Sequence, residues 1–370
     1  MEMGILEMGI KGAMYTLYMK RSTMNFNSTL KGMNSVHTVN YISGISAKRY
    51  YSSNNLCSSS NNYCSLKILT HFIEDTYNSI IIKNPELEFL LSIQDMRDIN
   101  KQIMEGKYTF SPLRARLFDK TNENEILDNF ILELNVLSKH YINSKKDTFL
   151  GIYPTLGDTF VLIGLGRMLN LHIMKKNLFI DSSMGLKVHP KFYWDKVSTK
   201  GPVLRLSKLD LTNSMKIINR CNLLSKLSHI VMNGEIMSLI EKYLYLPIML
   251  DENSSIDLTK NINCNIPTAG LISSVLLNFE LIELDKEFRR VFPQLDYLRY
   301  LHEVLVFFPS TELSRISFDI FREKLLDLFR KLNLEGKIIP IEQGSPFVPC
   351  YYGEISLSRD GEIILMTEPL

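Results

Sequence analysis

The chain has 370 residues, with 42 Lys and Arg against 40 Asp and Glu, for a formal net charge of +2. That length allows two or three compact regions and a sizeable core, while the near-neutral balance excludes a protein that grips long RNA through a uniformly basic surface. The nearest approach to a long apolar run, Thr159 to Met174, contains Arg167, so no membrane-spanning helix is expected.

Residues 1–51 differ from the rest. They carry Lys11, Lys20, Arg21, Lys31, Lys48 and Arg49 against Glu2 and Glu7, among many Ser, Thr and Asn. A basic, hydroxyl-rich, acid-poor leader has the profile of a mitochondrial transit segment, the alternative being a basic tail. Arg49-Tyr50-Tyr51-Ser52 resembles a matrix-processing site, so the expected location is the mitochondrial matrix. Residues 52–65 read as a Ser/Asn linker. Since residues 1–51 carry +4 of the chain's +2, the remainder is −2, and RNA binding there must come from local patches. The five cysteines, Cys57, Cys64, Cys221, Cys264 and Cys350, have no paired zinc-type spacing.

Apolar spacing predicts helices over 66–82 and 87–104. Tyr108, Phe110 and Pro112 alternate as in a strand. A helix is expected over 122–141, a strand over 148–152, and a turn into a buried helix over 154–170, with Asp158 near its start. Residues 203–209 read as a strand leading to Asp210, followed by helices over 219–229 and 235–245. Gln294 to Phe308 reads as two strands around a tight turn, with His302 and Glu303 at the tip. A helix over 314–332, strands over 338–341 and 348–355, and a hairpin through Asp360-Gly361 follow.

Several of these stretches, in order, resemble motifs of group II intron-type reverse transcriptases. Tyr108 to Arg114 resembles the Tyr-x-Phe-x-Pro-x-Arg segment that opens the fingers, and Ser182 to Lys187 the Ser-x-Gly-Phe-Arg motif. Lys208 to Asn219 resembles motif A, with Asp210 at the first metal-binding aspartate. Asn265 to Lys286 resembles motif B, in which Ser274, Leu276, Leu277, Asn278, Leu281, Leu284 and Asp285 match the spacing. Tyr300 to Glu303 stands where the Tyr-Ala-Asp-Asp hairpin would be. The resemblance spans residues 86–356. It implies an α+β fold of fingers (66–200) and palm (201–370), an antiparallel palm sheet backed by helices, and no full thumb.

In that family two divalent ions, held by carboxylates on adjacent strands, carry nucleotide addition, and Mg²⁺ prefers hard oxygen ligands. Asp210 and Glu303 retain carboxylates, whereas His302 offers nitrogen instead. Mg²⁺ is therefore expected only if polymerase activity persists. His302 has three readings: a satisfied hairpin-tip histidine, a ligand for another metal, or a general base. Asp210, Asp285 and Glu303 have a second reading, a polar cluster with Arg299 or Lys208. The nucleotide-contacting Gln-Gly of motif B is replaced by Thr268-Ala269, after Pro267.

The resemblance implies a catalytically degenerate protein that binds RNA in splicing or assembly, its cleft contacts being Lys107, Arg114, Arg116, Lys187, Arg205, Pro267, Thr268 and Ala269. The alternative is an active RNA-directed DNA polymerase or intron maturase. Structured organellar RNA is the expected partner, with other RNA-processing proteins beside it.

Overall fold

The structure is a computed structural model that describes residues 64–82, 90–119, 148–176, 190–211, 213–250, 265–309 except 268 and 270, 317–350 and 353–367, with Glu88 and Leu178. The expected helix over 122–141 and the Ser182 to Lys187 motif lie outside them.

Helix α1 (Leu66–Ile81) starts where Ser65 accepts from the Ile68 amide, and it buries Leu69, Phe72, Ile73, Tyr77 and Ile80 on one face. Helix α2 (Ile93–Met104) starts later than its apolar pattern suggests. Ser92 and Asp95 form a reciprocal capping box that fixes the first turn. Tyr108 to Pro112 is not a strand. Asp158 instead accepts from Tyr108 Oη at 2.6 Å and the Ser111 amide at 3.1 Å, and strand β1 (Leu113–Asp119) begins only after Pro112. Strand β2 (Thr148–Tyr153) pairs antiparallel with β1.

Helix α3 (Leu156–Lys175) is buried on nearly every side. Gly164 and Gly166 let neighbours approach: a Cβ on Gly164 would lie 2.6 Å from Ile73, and one on Gly166 2.8 Å from the Ile272 amide. Arg167, a buried charge in the middle of this helix, is paired at 2.9 Å with Asp75 on α1 and lies over the Phe72 ring. Among the described residues no helix is long and apolar enough to cross a membrane.

Helix α4 (Pro190–Ser198) leads to strand β3 (Val203–Asp210). The short helix α5 (Ser214–Ile217), then α6 (Arg220–Ser228) and α7 (Gly234–Leu244), lead to β4 (Ile248–Leu250), which lies parallel to β1. Helices α8 (Leu271–Glu280) and α9 (Ile282–Val291) precede β5 (Asp296–Tyr300) and β6 (Glu303–Pro309). Helix α10 (Phe318–Leu332) and β7 (Lys337–Ile341) follow. The single strand expected over 348–355 is two, β8 (Val348–Cys350) and β9 (Gly353–Leu357), and β10 (Ile363–Thr367) completes the Asp360-Gly361 hairpin.

The architecture is mixed helix and sheet. The central sheet has the order β5-β6-β3-β7, every pair antiparallel. Two three-stranded sheets, β2-β1-β4 and β10-β9-β8, accompany it, and β4 falls between β3 and β5 in the chain. One hydrophobic core draws residues from both sides of position 200, from Leu69 on α1 through Leu276 on α8 to Phe321 on α10.

Candidate functional site

Period-two alternation gives the central sheet two chemically different faces. In register, Asp210 faces Glu303, Lys208 faces Leu305, and Glu303 faces Tyr300. These residues share one face. Leu209 faces Val304, and Val304 faces Arg299, which puts those three on the other. Glu303 is the first residue of β6 rather than part of the turn. The turn is Leu301-His302, with Leu301 at φ +53, and the Leu211 amide donates to the His302 carbonyl at 2.9 Å. That bond ties the hairpin tip to the end of β3.

On the first face the Lys208 ammonium sits 2.7 Å from Glu303 Oε1 and 2.6 Å from the Pro349 carbonyl on β8. Both side chains are buried, with 8% and 11% of their surface exposed. Burial works against the charge of Lys208, but the Glu303 carboxylate outweighs it and the pKa is raised. Strand β8 and helix α4 cover this face. Burial pushes the Cys350 thiol up to about 12, with Lys208 opposing it, and the Tyr193 ring packs 5.3 Å from that of Tyr300. His302 is buried, and that burial holds its pKa down to about 4 against the pull of Asp210. It is a neutral imidazole at pH 7.

On the second face Arg299 is fully buried. Its Nε donates to Asp285 Oδ1 at 2.7 Å, its Nη2 to Oδ2, and its Nη1 to Asn278 Oδ1 at 2.6 Å and to the Leu301 carbonyl at 2.8 Å. Tyr297 Oη also donates to Asp285. Asn278 on α8 and Asp285 on α9 thus hold the strained hairpin tip from behind. The expected polar cluster is real but divided: the sheet separates Arg299-Asp285 from Lys208-Glu303.

This donor set does not fit a pair of magnesium ions. Among the described residues no group of three or more His, Cys, Asp or Glu side chains could hold a metal ion. Glu303 is engaged by an ammonium, and the residue beside it supplies nitrogen, which suits other metals better.

The other anticipated contacts do not gather on one surface. Lys107 is exposed and pairs with Glu105 at 2.9 Å. Arg114 is exposed on β1. Arg116 follows on the same strand, opposite Gly151. Arg205 pairs with Glu342 at 3.2 Å and lies over the Phe318 ring. Pro267 and Ala269 are buried, and both their carbonyls accept from Tyr243 Oη, so neither faces a cleft. Lys187 and Thr268 lie outside the described residues. Sequence reasoning missed the covering role of Pro349 and Cys350 and the Tyr243 clamp. The available signal for Lys208 was its position two residues before Asp210 on a strand, hence on the same face.

No protein-family model matches the chain, and no curated protein matches it. Solved structures resemble it at low identity, two telomerases among them. One is telomerase from Candida albicans in complex with a TWJ fragment of telomeric RNA, with a TM-score of 0.40, 12% identity, and coverage of 84% of this chain and 69% of that one. The other is apo telomerase from Candida tropicalis truncated from the C-terminal domain, with a TM-score of 0.40, 10% identity, and coverage of 86% of each chain.

Proposed function

We propose that this chain is a reverse transcriptase-like protein that keeps the polymerase sheet without nucleotidyl-transfer chemistry, and that it works by binding RNA. The observation that carries this reading is the Lys208 ammonium 2.7 Å from Glu303, at the strand end where a polymerase would need a divalent cation. An internal ammonium neutralises the carboxylate without offering a coordination site. Freeing Glu303 for a metal would break a buried ion pair, a step that costs about 3–5 kcal/mol when one partner is left behind. The neutral His302 adds no negative charge to compensate. Residues 201–370 then serve as a palm-like scaffold and 66–200 as a fingers-like one.

The acid-poor, basic character of residues 1–51 supports a role in the mitochondrial matrix, with an intron or another structured RNA as the bound species. The competing reading, a residual RNA-directed DNA polymerase or intron maturase, draws on the pairing of Asp210 with Glu303 across adjacent strands. Crosslinking and sequencing of RNA bound to the protein in organelles tests the favoured reading. Enrichment of specific RNAs is expected, and recovery of no RNA above background would sink it.

A further inference from the structure

One surface away from the central sheet combines an exposed aromatic ring, an exposed methionine and cations. Tyr245 closes α7 and is 49% exposed, and Met249 on β4 is 58% exposed. The Arg220 guanidinium lies 5.0 Å from the centre of the Tyr245 ring, and its Nε donates to the Asn265 carbonyl at 2.6 Å. Ring and cation are therefore held in a fixed mutual orientation. Met249 is the register partner of Arg114, which is exposed, so these two side chains stand side by side on one face. Only three residues separate Tyr245 from Met249, so the two lie within about 14 Å of extended backbone.

The sequences that supply these residues carry no acids. No Asp or Glu occurs over 106–118, 211–234 or 245–250, while Lys107, Arg114, Arg116, Lys216, Arg220 and Lys226 do. Lys107 pairs with Glu105 at 2.9 Å and Lys226 with Glu280 at 2.6 Å, so the positive charge at this surface comes from Arg220 over the Tyr245 ring and Arg114 beside Met249. The field of Glu241 also reaches Tyr245, so the surface is not uniformly basic, and a ligand held by charge alone would gain little there. An aromatic face beside fixed guanidinium groups suits a ligand that offers flat rings and phosphates alternately.

We propose that Tyr245 and Arg220, with Arg114 and Met249 beside them, form a stacking surface for single-stranded RNA. This rests on the RNA-binding reading above and adds the place and mode of contact. Base stacking on an aromatic side chain changes affinity about 5- to 150-fold per base.

The test uses the full chain and a fluorescein-labelled oligouridine of about twelve nucleotides, within the span such sites take. Fluorescence anisotropy is compared for the natural protein, Tyr245→Ala, Tyr245→Phe and, as a control on the C-terminal sheet, Met366→Ser. Tyr245 is half exposed, so its replacement leaves folding intact, which circular dichroism checks. The expected result is a loss of affinity of tenfold or more in Tyr245→Ala, with Tyr245→Phe and Met366→Ser near the natural protein. A photoreactive thiouridine RNA is expected to crosslink to the peptide that holds Tyr245. RNA bound with equal affinity by Tyr245→Ala and no crosslink there would overturn this surface and leave the broader RNA reading standing. No RNA bound by the natural protein would overturn both. Competition by polyglutamate as strong as by unlabelled RNA would mark a general polyanion surface and overturn stacking.

Discussion

Lys208 Nζ lies 2.7 Å from Glu303 Oε1 across two neighbouring strands, both groups buried and the ammonium held also by the Pro349 carbonyl. A buried pair of this kind adds little net stability over apolar side chains of similar volume, because desolvation of both charges offsets their attraction. Breaking it by removing one partner is different, since the other charge stays buried. Lys208→Met is therefore expected to destabilise the fold by about 3–5 kcal/mol. Lys208→Met combined with Glu303→Leu should lose less than the sum of the two single changes. Urea denaturation of the four proteins measures the coupling, and additive losses would contradict a functional pair.

Acid should weaken the fold through His302. Its pKa in the folded chain is held down to about 4, below the ordinary 6.5, so between those values the unfolded chain binds more protons. The stabilisation is complete above pH 6.5 and is lost as pH falls toward 4, on the order of 3 kcal/mol in all. His172, buried with Nε2 2.9 Å from the Ile230 carbonyl, is also held down and acts with the same sign. Unfolding free energies at pH 7.5 and pH 5 should differ less in His302→Gln than in the natural protein. An equal difference would show that His302 is not buried in its neutral form.

The crossing of α3 with α8 depends on Gly166, where a Cβ would sit 2.8 Å from the Ile272 amide. Gly166→Ala is expected to cost about 1–3 kcal/mol by overpacking. Gly234, the first residue of α7, has nothing within 4 Å of the same added atom. Gly234→Ala should be neutral or stabilise by up to about 1 kcal/mol, because it restricts the unfolded chain. Thermal melts of the two variants give opposite or clearly unequal shifts if α3 packs as described.

Helix α10 ends at Asn333, whose φ of +52 is left-handed. Its amide donates to the Arg330 and Phe329 carbonyls there. Asn333→Ala is expected to cost about 1–2 kcal/mol, and Asn333→Gly to be near neutral, since only the former carries a Cβ into that conformation without a polar side chain to compensate. Denaturation midpoints separate the two.

Much of this arrangement was legible beforehand, and the exceptions have physical causes. The hairpin of β5 and β6 follows from its alternation and its long apolar run, and Asp210 falls at the end of β3 as expected. Helix α2 begins at Ile93 rather than near 87, because a capping box, not apolar spacing, decides where the first turn forms. Tyr108 and Phe110 alternate like a strand, yet Asp158, 50 residues away, captures the Tyr108 hydroxyl. Lys208 shows the same limit most clearly. It was expected, with Arg299, in a polar cluster with the carboxylates, but its carboxylate partner lies 95 residues away and its carbonyl partner 141, so no local pattern reveals which carboxylate it takes. Arg299, Asn278 and Asp285 could be named, but the side of the central sheet on which Arg299 meets the two helix residues depended on the register of β5 against β6.

Primer extension by the purified protein, on an RNA template with Mg²⁺ or Mn²⁺, tests most directly whether the Lys208-Glu303 pair has replaced a metal site. No nucleotide addition above that of Asp210→Ala is expected with either ion. Extension by the natural protein that disappears in Asp210→Ala would contradict it, and would show that Glu303 leaves Lys208 to hold a catalytic metal.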